Sequence, residues 1–190
     1  MAHTTSPGGT PGIVGQIFAH RESEEALNTL AQVVMCGPSP LTRAERELIA
    51  AVVSAGNDSY FCTNTHAAAA RHLFGDRAGV VDAVLTDPGT GHPEERLRAL
   101  LAIAAKVRRG GCSVTPDDVA RARAAGADDR EVHDTVLIAA MLCMFNRYVD
   151  NFGPWAPRDP SVYQEIGARI ATTGDRGQYP DEPVVVYAYG

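Results

Sequence analysis

No apolar run in this 190-residue chain approaches the roughly 18 residues that a membrane-spanning helix needs. The first twelve residues, Met1 to Gly12, are rich in Gly, Pro, Thr and Ser. They lack the charged-then-apolar order of a secretory leader and read as a disordered arm. Basic charge is also in deficit: 17 Lys and Arg against 23 Asp and Glu leave a net charge of -6. Phosphate binding needs a basic face, so a nucleic-acid role is disfavoured. The Arg108-Arg109 pair reads as a helix end. Four cysteines, Cys36, Cys62, Cys112 and Cys143, lie far apart. They lack the paired spacing of a disulfide framework and are expected to be reduced thiols in a cytoplasm. The chain is long enough for one real core and too short for two.

Strand patterning is missing too, until Val184-Val185-Val186 near the end. What fills the chain is helical periodicity. Residues 22–35 carry Ala26, Leu27, Leu30, Ala31 and Val34 at helical spacing and stop at Cys36-Gly37-Pro38. Thr42 with Glu45 forms a capping box opening a helix to Gly56-Asn57. Its stretch from Leu48 to Ala55 has no charge and should be buried nearly all round. Asn57 or Asp58 can cap a third helix ending at Phe74-Gly75, and a shorter one covers residues 77–85. Pro93 suits the first position of a helix with Leu97, Leu100, Leu101, Ile103, Ala104 and Val107 inward, ended by Gly110-Gly111. Thr115-Pro116-Asp117-Asp118 starts a short helix. Asp128 with Glu131 starts a long one through Asn151, including Val132, Val136, Leu137, Ala140, Met144 and Tyr148. A last helix covers residues 161–171. The expectation is an all-α single domain over 13–172, with its motif region at 41–75. The tail, 173–190, ends in apolar Val184 to Tyr189 and is expected to pack on a neighbouring subunit.

The segment richest in chemistry is Ser59-Tyr60-Phe61-Cys62-Thr63-Asn64-Thr65-His66. Cys62 and His66, four apart, share one helix face, with Ser59 three residues before Cys62 on the same side. Cys62 falls near a helix start, where the dipole favours a thiolate, and His66 can accept its proton. Cys62 is therefore expected to be the most reactive thiol at neutral pH. A Cys–His pair at this spacing also arises by ordinary packing.

The segment Arg43-Ala44-Glu45-Arg46-Glu47-Leu48 precedes it, with Glu47 twelve residues before Ser59. This register resembles the alkylhydroperoxidase D-like / carboxymuconolactone decarboxylase family, whose motif is Cys-x-x-Cys-x-x-x-His with a glutamate twelve residues upstream. Met144-Phe145-Asn146-Arg147-Tyr148-Val149-Asp150 is similar to the Phe-Asn-Arg-x-x-Asp segment of its peroxidase-related branch. The resemblance, over roughly residues 20–155, implies an oligomeric helical bundle, a trimer or hexamer, with no cofactor or metal. It makes Cys62 the peroxide-reacting thiol, His66 its base and Glu47 the outer member of a proton relay. Ser59 stands where the family has its other redox cysteine, and Phe61 where some members have a second histidine. A serine cannot close the disulfide of a dithiol peroxidase.

Plainer roles stand beside these: Ser59 as a helix cap, Tyr60 and Phe61 as core aromatics, His72 as surface, Arg147 and Asp150 as a structural ion pair. Cys62, His66 and Glu47 are also a conceivable metal-ligand trio, against the family precedent. Three functions are carried forward. The first is a thiol-based hydroperoxidase-like oxidoreductase with a one-cysteine cycle, a small-molecule substrate and an unidentified thiol reductant. The second is an acid/base enzyme of the decarboxylase, isomerase or lactone type, acting on a small carboxylic acid or specialised metabolite. The third is a catalytically silent oligomeric accessory protein.

Overall fold

The computed structural model describes residues 21–89, 91, 94–152 and 156–173. The expected N-terminal arm and all but the first residue of the expected tail lie outside the described residues. Eight α-helices follow in order: α1 Arg21–Cys36, α2 Arg43–Gly56, α3 Tyr60–Phe74, α4 Gly79–Thr86, α5 Glu95–Arg109, α6 Pro116–Ala124, α7 Asp129–Asn151 and α8 Pro160–Thr173. A short 3-10 turn, Gly75–Arg77, links α3 to α4. No strand occurs among the described residues, as the sequence pattern predicts.

Helix α2 is the centre of the bundle. Every residue from Glu45 to Ser54 is buried, because α3, α5 and α7 pack around it. Small side chains set these distances. Ala67 to Ala70 on α3 are buried, and Gly167 of α8 sits so close that a Cβ there would lie 2.6 Å from the Ala68 carbonyl carbon. Only glycine allows that approach.

Three helix starts share one device. At α2 the Thr42 N–H donates to Glu45 Oε2 at 2.7 Å. At α7 the Asp128 N–H donates to Glu131 Oε2 at 2.9 Å, and at α6 the Thr115 N–H donates to Asp118 Oδ2 at 2.8 Å. Each of these carboxylates also binds a cation from α5. Arg96 reaches Glu45 and Glu131 with separate guanidinium nitrogens, and Lys106 Nζ lies 2.6 Å from Asp118 Oδ2. One helix thus ties down the amino ends of three others. Arginines close opposite ends: Arg46 donates to Gly37 O of the α1 exit at 2.8 Å, Arg43 to Ala171 O of α8 at 2.8 Å, and Arg108 to Gly56 O of α2. These satisfy carbonyls that a helix end leaves unbonded.

Several boundaries differ from the expectation. Helix α3 begins at Tyr60 with Ser59 in the cap position, because Asn57 and Asp58 are used to end α2. The Asp58 N–H bonds Ala55 O and the Ser59 N–H bonds Ser54 O, with Asp58 at φ 59°. This is a Schellman turn in which aspartate takes the left-handed position usually given to glycine. Helix α5 begins at Glu95, so Pro93, which lies outside the described residues, is not its first residue. On α7 the core face is Ile138, Met141, Leu142, Phe145 and Val149, whereas Leu137, Ala140 and Met144 are exposed. On α1, Ala26 is exposed.

Removing Arg96 strands two carboxylates whose side chains are 8% and 9% exposed. Arg96→Ala is expected to lower the unfolding free energy by about 3 kcal/mol in urea denaturation, the range for breaking a buried pair. Arg121→Ala, which removes a solvent-exposed partner of Asp118, should cost less than about 1 kcal/mol. Equal losses in the two variants would remove the special place given to Arg96.

Candidate active site

The site begins with a carboxylate in the wrong place for a soluble helix. Glu47 lies on the α2 face that also carries Ala50, Ala51 and Ser54, and it is 1% exposed. Its neighbours are small enough for α3 to come close, and Oε2 lies 2.7 Å from His66 Nδ1. A carboxylate only accepts, so Nδ1 carries the hydrogen and the neutral ring has its basic lone pair on Nε2. The second oxygen, Glu47 Oε1, is buried with no hydrogen-bond partner among the described residues. Leaving a buried charged oxygen unbonded costs stability, and such groups concentrate where chemistry is done.

Cys62 is the third residue of α3 and is buried. Ser59 and Asn146 act on its thiol and favour the charged form. Burial pushes it up to about 11 from an ordinary 9.0; the Ser59 and Asn146 bonds oppose that rise and the nearby Asp150 carboxylate adds to it. The helix-start effect is therefore overruled, and the resting group is a thiol rather than the expected thiolate.

Ser59 does not cap α3, its side chain making no cap bond. Its hydroxyl, fully buried, donates to Asp150 Oδ1 at 3.2 Å. Burial in turn raises the Asp150 carboxyl above the usual range, partly offset by that bond. Arg147, expected to pair with Asp150, instead donates to the Cys143 carbonyl of its own helix at 2.9 Å. Below Cys62, Asn146 donates to Ser54 Oγ at 3.1 Å and accepts from Asn57 Nδ2 at 2.9 Å. Among the described residues no group of three or more His, Cys, Asp or Glu is placed to hold a metal ion.

An aromatic wall from α3 and α8 covers this polar floor. Phe61 and Tyr163 rings are 5.8 Å apart and Tyr60 and Tyr163 rings 6.1 Å apart. Phe61 is buried as expected, whereas Tyr60 is 41% exposed, with the Arg158 guanidinium 4.6 Å from its ring centroid. Burial raises the Tyr163 phenol, whose hydroxyl donates to Pro157 O at 2.8 Å. His72 is exposed, as read. Asn146 and Tyr163 were missed as site residues. Asn146 had a signal, as a polar residue inside an apolar helix stretch, whereas nothing in sequence places Tyr163 of α8 near residue 62.

Residues 21–86 match the Carboxymuconolactone decarboxylase family. The match spans α1 to α4 and so includes Glu47, Ser59, Cys62 and His66. An uncharacterized peroxidase-related protein from Silicibacter sp. TM1040 is similar in structure, with a TM-score of 0.71 and 28% identity over 81% of this chain and 78% of that one. The alkylhydroperoxidase AhpD core of an uncharacterized peroxidase-related protein from Ralstonia eutropha JMP134 has a TM-score of 0.73 and 24% identity. It covers 85% of this chain and 83% of its own and shows the fold alone. No curated protein matches the chain. Within the matched residues the glutamate and histidine read from the motif do meet.

Cys112 is exposed and Cys62 buried, and burial argues for an order of reactivity opposite to the one expected from sequence. Iodoacetamide at pH 7 followed by peptide mapping should label Cys112 first. Because the folded Cys62 thiol lies near 11, above its unfolded 9.0, the stability it contributes is complete below pH 9 and lost between about pH 9 and 11. Cys62 labelling should climb over the same range. Fast labelling of Cys62 at pH 7 would show that burial does not control this thiol.

Proposed function

We propose that the protein is a thiol-based hydroperoxidase-like oxidoreductase centred on Cys62, His66 and Glu47. The observation that carries this is the buried Glu47 carboxylate 2.7 Å from His66 Nδ1, one helical turn from a buried thiol. A base is needed because the thiol is protonated at rest. His66 takes the Cys62 proton as the sulfur attacks the terminal oxygen of a hydroperoxide. The O–O bond breaks, the Cys62 sulfur is oxidised to a sulfenic acid, and His66 returns the proton to the leaving alkoxide, which departs as an alcohol. Glu47 holds the ring and stabilises its transient positive charge. Ser59, read as standing at the family's other cysteine position, bonds Cys62 without supplying a sulfur. Reduction then falls to another thiol.

A specific observation also favours acid/base chemistry: the pair Glu47–His66 works without a thiolate, and the resting Cys62 is not one. In that reading His66 moves the proton of a small carboxylic acid or lactone. The two are separated by hydroperoxide consumption with a small thiol as reductant. Under the leading reading Cys62→Ser abolishes consumption, and Glu47→Gln lowers kcat by about a hundredfold, the lower range for losing a positioned base. Consumption by Cys62→Ser at the wild-type rate would remove the peroxidase reading and leave the acid/base one.

We further propose an assembly of at least three subunits. Leu137 and Met144 stand 39% and 42% exposed with Ala140 on one face of α7, a stripe of the kind that subunit contacts cover. Light scattering at micromolar concentration should give at least three times the 20.2 kDa chain mass; a stable monomer overturns it.

A further inference from the structure

We propose that Cys143 is the thiol that resolves oxidised Cys62, an inference that rests on the hydroperoxidase reading. Two of the three other cysteines lie elsewhere: Cys36 ends α1 and Cys112 lies between α5 and α6. Cys143 belongs to the polar junction beneath the site. Asn146, bonded with the Cys62 thiol, accepts from Asn57 Nδ2 at 2.9 Å, and that same nitrogen lies 3.6 Å from Cys143 Sγ. Asn57 and Asn146 therefore connect the surroundings of the two thiols. Cys143 is partly exposed where Cys62 is buried, so a disulfide between them has one end that a reductant can reach.

The approach of the sulfurs requires motion, because a disulfide holds its Cα atoms within about 7 Å. The first turn of α3, which carries Cys62, is suited to move. Its cap residue Ser59 makes no side-chain cap bond, so the N–H groups that a cap would hold are not secured. The residue before it, Asp58, sits at φ 59° in the turn that follows Asn57. Loss of the Cys62 thiol proton and gain of an oxygen also change what Ser59 and Asn146 can bond.

The step balances without a further oxidant. The hydroperoxide has taken two electrons from Cys62, leaving Cys62 as sulfenic acid. The Cys143 sulfur attacks the Cys62 sulfur, the S–O bond breaks, and hydroxide leaves as water with the Cys143 proton. An external dithiol then reduces the disulfide by exchange.

The full chain is treated with one equivalent of tert-butyl hydroperoxide, alkylated, and mapped without reduction by mass spectrometry. The expected product is a peptide pair joining Cys62 and Cys143, lighter by two hydrogens and released by dithiothreitol. In Cys143→Ser, or in Cys143→Ala should the serine variant misfold, that pair is lost. Cys62 then accumulates as a dimedone-trappable sulfenic acid and advances to sulfinic acid. A wild-type protein that gives the dimedone adduct at Cys62 but no joined pair, or a pair to Cys36 or Cys112, overturns the assignment of Cys143 and leaves the peroxidase reading intact. No oxidation at Cys62 in any variant overturns both.

Discussion

A single buried carboxylate sets the terms for the rest of this site. Glu47 is withdrawn from water among the apolar residues of the central helix, a position that a charge holds only with a partner. The partner is the His66 ring on α3. For it to arrive, the two helices must lie close, and both carry buried alanines. The sequence runs that look bland, Ala50-Ala51 on α2 and Ala67 to Ala70 on α3, all buried, leave room for the proton-handling pair. Bulkier side chains on those faces would part the helices and leave the carboxylate buried alone.

The bundle around that pair is tied together at its helix ends. Glu45, Glu131 and Asp118 each spend one interaction on a cap N–H and another on a cation of α5. Local capping signals thereby become long-range ones, since Arg96 joins residues 35 and 51 positions away. The amino end of α2 is the beneficiary that matters for chemistry. Fixing it also fixes the register of Glu47, two residues into the same turn, against His66.

The thiol side of the site is organised on opposite principles. Cys62 is surrounded by hydrogen-bonding groups that would favour its thiolate, yet burial outweighs them and Asp150 adds negative potential. A nucleophile held neutral is protected from adventitious oxidation, because the thiolate is the reactive form. Reaction then requires a base at the moment of attack, and this is the task for which a carboxylate-held histidine is suited. Ser59 fits the same logic: it links the α3 start to Asp150 of α7 rather than capping its own helix, so the buried thiol and serine adjoin a raised carboxyl.

Helical class, the capping boxes at Thr42, Thr115 and Asp128, and the spacing of Glu47, Cys62 and His66 were all legible in the sequence, because helix caps and one-turn neighbours depend on residues three or four apart. Even the meeting of Glu47 with His66 was readable through the family register. The state of Cys62 was not. A helix-start position argues for a thiolate, and only the packing of α3 against α2 and α8 shows that desolvation is the larger effect. The partner of Asp150 was not legible either: Arg147 and Asp150 were read as an ion pair or interface, and the choice of Ser59 before α3 depends on which way α7 is rotated. That rotation also decided that Leu137 and Met144 face outward and that Asn146 and Cys143 lie beneath the site. Local pattern determined the elements and one face of the chemistry; how the helices turn toward one another determined the protonation, the asparagines beneath the thiol and the position of the second thiol, because burial and long-range contact exist only once the chain has folded.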